Sequence, residues 1–152
     1  MTITTCLWFQ GDLELALARY RSLFDDFEVT SLQSMGGQSP LLAEWRMHGT
    51  GFRAINQPAD FRFNESMSLS VTCADQAEVD RYWFGLLADG GEESMCGWLK
   101  DPFGVSWQIV PQQLGTLLGD PDPKRAAAAQ ATMLGQRRII VADLLAAADR
   151  AS

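Results

Sequence analysis

The sequence predicts an α+β protein in which two repeated βαβββ modules form a curved mixed sheet with a cleft, followed by C-terminal helices. The first observation is an internal repeat, because a strand-like run and an amphipathic helix occur twice, with Asp12 matched 63 residues later by Asp75 and Tyr20 by Trp83. The second is that runs of alternating apolar and polar residues follow each helix, as half-buried strands require. The third is a change after Pro111 to an Ala-rich, helix-forming composition.

The first module begins with a strand and a capped helix. Ile3–Phe9 is rich in β-branched and aromatic residues, and Asp12 is a residue type that caps helix N-termini. Met35–Pro40 is a Gly-rich loop and Gly49–Gly51 a hairpin turn. Between and around them we expect three further strands: Glu28–Ser34, Leu41–His48 and Phe52–Gln57.

A connector, Pro58–Glu65, leads to the second module. Its aromatic Phe61 is expected either to cover a pocket or to tuck into the sheet edge. The run Asp75–Glu78 has the pattern of a capping box and starts a helix that stops near Gly90-Gly91. Four strands complete this module: Ser66–Cys73, a short one within or just after Gly91–Ser94, Met95–Lys100 and Val105–Val110.

The last two strands form a hairpin in Trp98–Pro111. Asp101, Pro102 and Gly104 occupy the first, second and fourth positions of the turn, where a type I turn prefers these residue types. Alternation along the outgoing strand places Ser106 and Gln108 on one face.

The helices after Pro111 form an extension of the same domain. The two modules are expected at about 3–57 and 66–111 of the paired-module region 1–111, and the extension in 112–152. Its apolar faces are small, and we expect them to pack on a partner subunit or on the back of the sheet. The helices predicted there are Leu114–Leu118, Ala126–Leu134 and Val141–Arg150, with Asp122 and Pro123 starting the second of them.

Composition excludes several classes of function. The 152 residues carry a net charge of −7, which argues against nucleic-acid binding. No apolar run is long enough to span a membrane, and the N-terminal residues do not have the pattern of a secretory signal, so a cytoplasmic location is expected. Three cysteines without metal-site spacing are expected to be reduced, and Cys96 is a structural thiol rather than a nucleophile. With one histidine, His48, the chain cannot build a zinc site on two of its own histidines.

The hairpin sequence carries a family resemblance. Cys96–Asp101 followed by Gly104–Pro111 resembles the last hairpin of the vicinal oxygen chelate superfamily, which contains glyoxalases, extradiol dioxygenases and bleomycin-resistance proteins. The longer string is similar to the PhnB-like branch, whose domain carries the label 3-demethylubiquinone-9 3-methyltransferase. The resemblance implies the two-module fold with its cleft and a homodimer, and it covers nearly the whole chain.

The resemblance also implies where a metal would be bound. Metal-dependent members place His, Gln or Glu on the first strand of each module and Glu on the last strand. The corresponding places here hold Thr5 and Ser68 on the first strands, Ala54, to within a residue, on the fourth, and Gln108 on the last. These side chains include no anionic or imidazole donor, so we predict no metal and no cofactor. No G-x-G-x-x-G motif supports a nucleotide cofactor.

A small-molecule site in the cleft is the preferred hypothesis. Nine residues are predicted to contact the ligand because they combine apolar walls with a few polar groups: Thr5, Leu7, Phe9, Asn56, Phe61, Ser68, Ser70, Ser106 and Gln108. An enzyme with a rebuilt site is the first alternative, of lyase, isomerase, dioxygenase or methyltransferase type. A structural or regulatory dimer without a ligand is the second.

Overall fold

The computed structural model describes residues 3–34 and 39–151, which form two compact units that meet between Arg62 and Phe63. The predicted Gly-rich loop therefore lies largely outside the described residues. Of the described helices, none is long and apolar enough to cross a membrane.

The first unit contains one helix and a four-stranded mixed sheet. Its elements are β1 (Thr5–Phe9), α1 (Leu13–Leu23), β2 (Glu28–Gln33), β3 (Leu42–Met47) and β4 (Thr50–Asn56). The strand order is β1-β4-β3-β2, with β1 parallel to β4 and the other pairs antiparallel. Buried residues of α1 and of alternate strand positions form its core, including Tyr20, Trp45 and Phe52.

The β3–β4 hairpin turn differs by one residue from the predicted one. His48 and Gly49 form a two-residue loop with φ of 47° and 69°, and Met47 pairs with Thr50. Two successive positive φ angles define a type I′ turn, which matches the twist of the strands it joins. The Asp26 carboxylate accepts hydrogen bonds from the backbone N–H groups of both turn residues, at 2.9 and 3.2 Å, and its pKa is lowered, mainly by the His48 N–H. His48 is thereby a turn residue.

The second unit repeats this topology and adds the C-terminal helices. Its elements are β5 (Leu69–Cys73), α2 (Gln76–Leu87), β6 (Glu92–Glu93), β7 (Trp98–Lys100), β8 (Ser106–Pro111), α3 (Gln112–Leu118), α4 (Pro123–Leu134) and α5 (Val141–Arg150). The strand order is β5-β8-β7-β6, with β5 parallel to β8. Two mixed sheets of identical order confirm the predicted pair of βαβββ modules; the cleft stays a prediction.

The C-terminal extension packs within the second unit. Its helices share a core with one another that includes Leu117, Ile139 and Leu144. The Gln76 side chain at the start of α2 donates to the Ile139 carbonyl at 3.1 Å and accepts from the Val141 N–H at 2.8 Å. The extension thus covers its apolar faces inside the unit, and these faces do not require a partner subunit for burial.

Candidate functional site

The polar residues predicted on the second module lie together on one face of its sheet. Ser70 pairs with Gln108 between β5 and β8, and the Gln108 side chain donates a hydrogen bond to the Ser68 hydroxyl at 2.8 Å. Val71 and Ile109 point to the opposite, buried face. The structure therefore brings the predicted residues Ser68, Ser70 and Gln108 together.

The turn before β8 fixes the position of this face. Asp101 is buried, and its Oδ1 atom accepts from the N–H groups of Phe103 and Val105, both at 3.0 Å. Its Oδ2 atom accepts from the Trp107 indole N–H at 2.9 Å, and the Gly104 N–H closes the turn onto the Asp101 carbonyl at 2.9 Å. The predicted turn is confirmed, and one carboxylate joins the turn to the core side of β8.

A row of three side chains crosses the start of this face. Strand pairing places Glu92 opposite Lys100 and Lys100 opposite Ser106. These residues line a recess of about 140 Å³ together with Glu65, Trp98 and others. The Lys100 ammonium forms an ion pair with the Glu65 carboxylate and holds the pKa of Glu65 below its ordinary value. The recess thus combines an indole, a cation, carboxylates and a hydroxyl.

The hydroxyl of Ser106 is the unusual group in this recess. Ser106 is 1% exposed, and its Oγ atom has no hydrogen-bond partner among the described residues. Leaving a buried polar group unsatisfied costs roughly 1–3 kcal/mol, so such groups need a specific explanation. A partner supplied by a bound molecule is one such explanation.

On the first module, the predicted face is shifted by one residue. The burial pattern along β1 is repeated along β5 when Thr5 is aligned with Leu69, 64 residues later, whereas Asp12 and Asp75 are 63 residues apart. The loop between β1 and α1 is one residue longer than the loop between β5 and α2. A shift of one residue moves every side chain of a strand to the other face. The counterparts of Ser70 and Thr72 are therefore Cys6 and Trp8.

The predicted residues of β1 consequently lie on its core face. Leu7 and Phe9 are 4% and 1% exposed, and Thr5 is half-buried on the same side. Placing them on the face that corresponds to Gln108 was wrong, because the additional loop residue was not visible in the repeat. Their contact with a ligand stays a prediction.

The two other residues predicted in this unit have identifiable structural contacts. Asn56 is buried, and its amide accepts from the Gly11 N–H at 2.7 Å and donates to the Pro40 carbonyl at 3.1 Å. Phe61 is 54% exposed and meets the Trp8 ring edge to face, with centroids 5.1 Å apart. The Trp8 indole N–H donates to the Gln57 carbonyl at 2.9 Å. Asn56 therefore ties the β1–α1 loop to the end of β4, and Phe61 extends an exposed aromatic pair.

The implied metal places do not hold a suitable donor set. The counterpart of Gln108 on β4 is Arg53 rather than Ala54, because Arg53 pairs with Cys6 as Gln108 pairs with Ser70. The Arg53 guanidinium donates to the Glu44 carboxylate at 2.9 Å, and a guanidinium cannot coordinate a metal ion. Within residues 3–34 and 39–151, no three His, Cys, Asp or Glu side chains are grouped as metal ligands. The donor set does not fit a divalent metal.

Four residues of the recess were missed by the sequence reasoning: Glu65, Glu92, Trp98 and Lys100. Alternation along the hairpin places Trp98 and Lys100 on one face of β7, so this pair had a usable signal. Glu92 lies on a two-residue strand and Glu65 on a connector, where periodicity carries no signal.

Comparison with known proteins identifies the family. The family model described as 3-demethylubiquinone-9 3-methyltransferase matches residues 1–110. Among solved structures, a PhnB protein from Bacillus cereus is 32% identical and covers 73% of this chain and 99% of its own, with a TM-score of 0.67. The curated proteins gave no match.

Two more distant structures share the fold. Fosfomycin resistance protein FosX from Mesorhizobium loti is 13% identical, with a TM-score of 0.59 over 79% of this chain and 98% of its own. A glyoxalase-related enzyme from Fulvimarina pelagi is 20% identical, with a TM-score of 0.53 over 75% of this chain and 90% of its own. The chain belongs to the 3-demethylubiquinone-9 3-methyltransferase-like, PhnB-like family of the vicinal oxygen chelate superfamily.

Proposed function

We propose that this PhnB-like protein binds a small molecule in the recess at the start of β8, without a metal ion held by its own side chains. The observation that carries the proposal is the buried Ser106 hydroxyl without a partner, in a recess that also presents charged groups and an indole. Convergent polar groups beside an aromatic wall are typical of small-molecule sites.

The size of the recess limits the ligand. A cavity of about 150 Å³ holds a benzene molecule, and the recess measures about 140 Å³. A single ring or a molecule of similar bulk fits, whereas drug-sized ligands need roughly 300 Å³ or more. Ser68, Ser70 and Gln108, on the same face, would contact any part of the ligand that extends beyond the recess.

The methyltransferase in the family's description is not proposed as the reaction. A nucleotide cofactor of the common type needs a Gly-rich turn whose backbone is open to the ligand. At Gly91, a Cβ atom would lie 2.8 Å from the Lys100 carbonyl and 2.7 Å from the Leu87 Cα, so this backbone is already packed. Gly36-Gly37 lies outside the described residues. We assign no step to this cofactor.

The test is a binding screen with a blocked variant. Saturation-transfer NMR of single-ring compounds on the full chain should give binders that are lost in Ser106→Val, whose larger side chain enters the recess. Ser22→Ala, at an exposed serine of α1 in the other unit, should keep them. The proposal fails when no single-ring compound binds or when Ser106→Val retains the same binders.

A second variant separates binding from folding. Ser106→Ala removes a buried hydroxyl without a partner, so it should raise the free energy of unfolding, by about 1 kcal/mol, while weakening the binders. A site that loses stability for the sake of function behaves in this way. Reduced stability in Ser106→Ala would show that the hydroxyl has a structural partner and would remove the main support for the proposal.

The homodimer and the cytoplasmic location stay predictions. The homodimer was expected from the apolar faces of the C-terminal helices, which the second unit covers internally. The family resemblance therefore carries this expectation alone.

A further inference from the structure

The side chains around the recess carry unequal charge. Three carboxylates line it, from Glu65, Glu92 and Glu93, against the single ammonium of Lys100. Outside the lining, Arg137 approaches Glu93 with 3.7 Å between Nη1 and Oε2. Two cations against three anions leave one negative charge in excess.

The excess charge can be assigned to one side chain. The Lys100 ammonium is paired with Glu65, and Glu93 is paired with Arg137 and also accepts from the Trp83 indole N–H at 3.3 Å. Glu92 is exposed and lies opposite Lys100 across the β6–β7 pair, with no ion pair of its own among residues 3–34 and 39–151. Its carboxylate is the group in the recess whose charge is not matched by a direct partner.

We propose that the ligand is a compact cation, an ammonium group on a single-ring or similar apolar body, with the ammonium at Glu92, the body against Trp98 and a hydrogen bond to the Ser106 hydroxyl. This inference rests on the proposed function of the recess. The row Glu92, Lys100, Ser106 supplies the polar contacts, since the three residues face each other across neighbouring strands. An indole face provides apolar area and attracts a nearby cation.

An anionic ligand is disfavoured by the same arrangement. Lys100 is the one cation in the lining, and its charge is already engaged by Glu65. An anion would have to break that pair and would then face two carboxylates. The recess is therefore selective by sign of charge, which is how like charges discriminate against a wrong ligand.

Three probes of equal size test the inference: benzylamine, benzyl alcohol and benzoate, which are cationic, neutral and anionic at neutral pH. Binding to the full chain is followed by tryptophan fluorescence and by NMR titration. Benzylamine should bind most tightly, and Glu92→Gln should weaken it about threefold to fivefold, as expected for a partly exposed charge pair. The matched control Glu28→Gln, an exposed strand residue of the other unit, should leave it unchanged.

The outcomes distinguish the ligand class from the site. Tightest binding of benzyl alcohol or benzoate, lost in Ser106→Val, would overturn the cationic class and leave the proposed small-molecule site standing. Equal weakening of benzylamine in Glu92→Gln and Glu28→Gln would show a general charge effect and also overturn it. Failure of all three probes, together with a screen that finds no other single-ring binder, would overturn the site itself.

Discussion

Gly97 is the residue at which the hairpin, its neighbouring strand and the C-terminal extension meet. Its φ is +84°, and a Cβ atom placed on it would lie 2.7 Å from the Ile109 carbonyl oxygen and 3.3 Å from the Ile139 Cγ1 atom. Its N–H donates to the Arg137 carbonyl at 2.7 Å, and its carbonyl accepts from the Ile109 N–H at 2.8 Å. Substitution with alanine should therefore disturb both β8 and the segment before α5.

The expected loss of stability has two parts. A residue with a Cβ in the left-handed region costs roughly 1–2 kcal/mol, and forcing an atom into a packed backbone contact costs typically about 1–3 kcal/mol. Because the close atom belongs to the backbone of β8, it cannot move aside as the end of a side chain would. Gly97→Ala should lower the free energy of unfolding by about 3 kcal/mol, or the melting temperature by about 6–12 °C for a chain of this size.

Urea unfolding followed by tryptophan fluorescence measures the effect. Gly115→Ala is the matched control, because Gly115 lies inside α3 and nothing lies within 4 Å of its added Cβ. Glycine inside a helix is unfavourable relative to alanine, so this variant should gain about 0.5–1 kcal/mol. A Gly97→Ala protein within about 0.5 kcal/mol of the wild type would refute the reasoning about the backbone contact.

Four further measurements test other parts of the structure. Burial raises the pKa of the Cys73 thiol to about 12, so Cys73 should resist a thiol reagent at pH 8 while exposed Cys6 reacts within minutes; fast labelling of both in the folded protein would contradict this. The Arg125 side chain lowers the pKa of Asp120 below 3.8, so this carboxylate stabilises the fold above that pH and the stability is lost as the pH falls through the lower, folded pKa. Asp120→Asn should be less stable at neutral pH and lose less on acidification, and a parallel pH profile of unfolding would contradict it. Calorimetric titration of chelator-treated protein with zinc and nickel should show no stoichiometric binding, whereas tight binding lost in Gln108→Ala would restore a metal site. Sedimentation should show a dimer, and a monomer at tens of micromolar would contradict that expectation.

The elements with strong local signals could be predicted from the sequence. The helix Val141–Arg150 has the predicted bounds, and the Asp75 side chain accepts from the Glu78 N–H at 3.0 Å, as a capping box requires. The Asp101 turn likewise depends on residues that are adjacent in the chain. In each case the sequence pattern and the stabilising contact span only a few residues, so the pattern is sufficient.

Contacts between distant segments were less accessible. The docking of the extension depends on Gln76, which reaches residues 139 and 141 from the start of α2. Nothing in the spacing of the C-terminal helices indicates this amide, because a glutamine at the start of a helix is common for local reasons. The ion pair of Lys100 with Glu65 is similar, since it joins a strand to a connector of irregular structure.

The site on the first module shows how a small local difference defeats an otherwise correct repeat. Counting back from Asp12 and Asp75 aligns the helices, yet it aligns the preceding strands only when both strand-to-helix loops have the same length. The β1–α1 loop has one residue more, and Gly11 with a φ of 120° lies in it and donates to Asn56. Because side chains alternate at every residue, that single insertion exchanges the two faces of β1 and leaves those of β5 unchanged. The chemistry of the two modules can therefore be compared only after Thr5 is replaced by Cys6 in the alignment, and it is this comparison that places Arg53 opposite the role of Gln108.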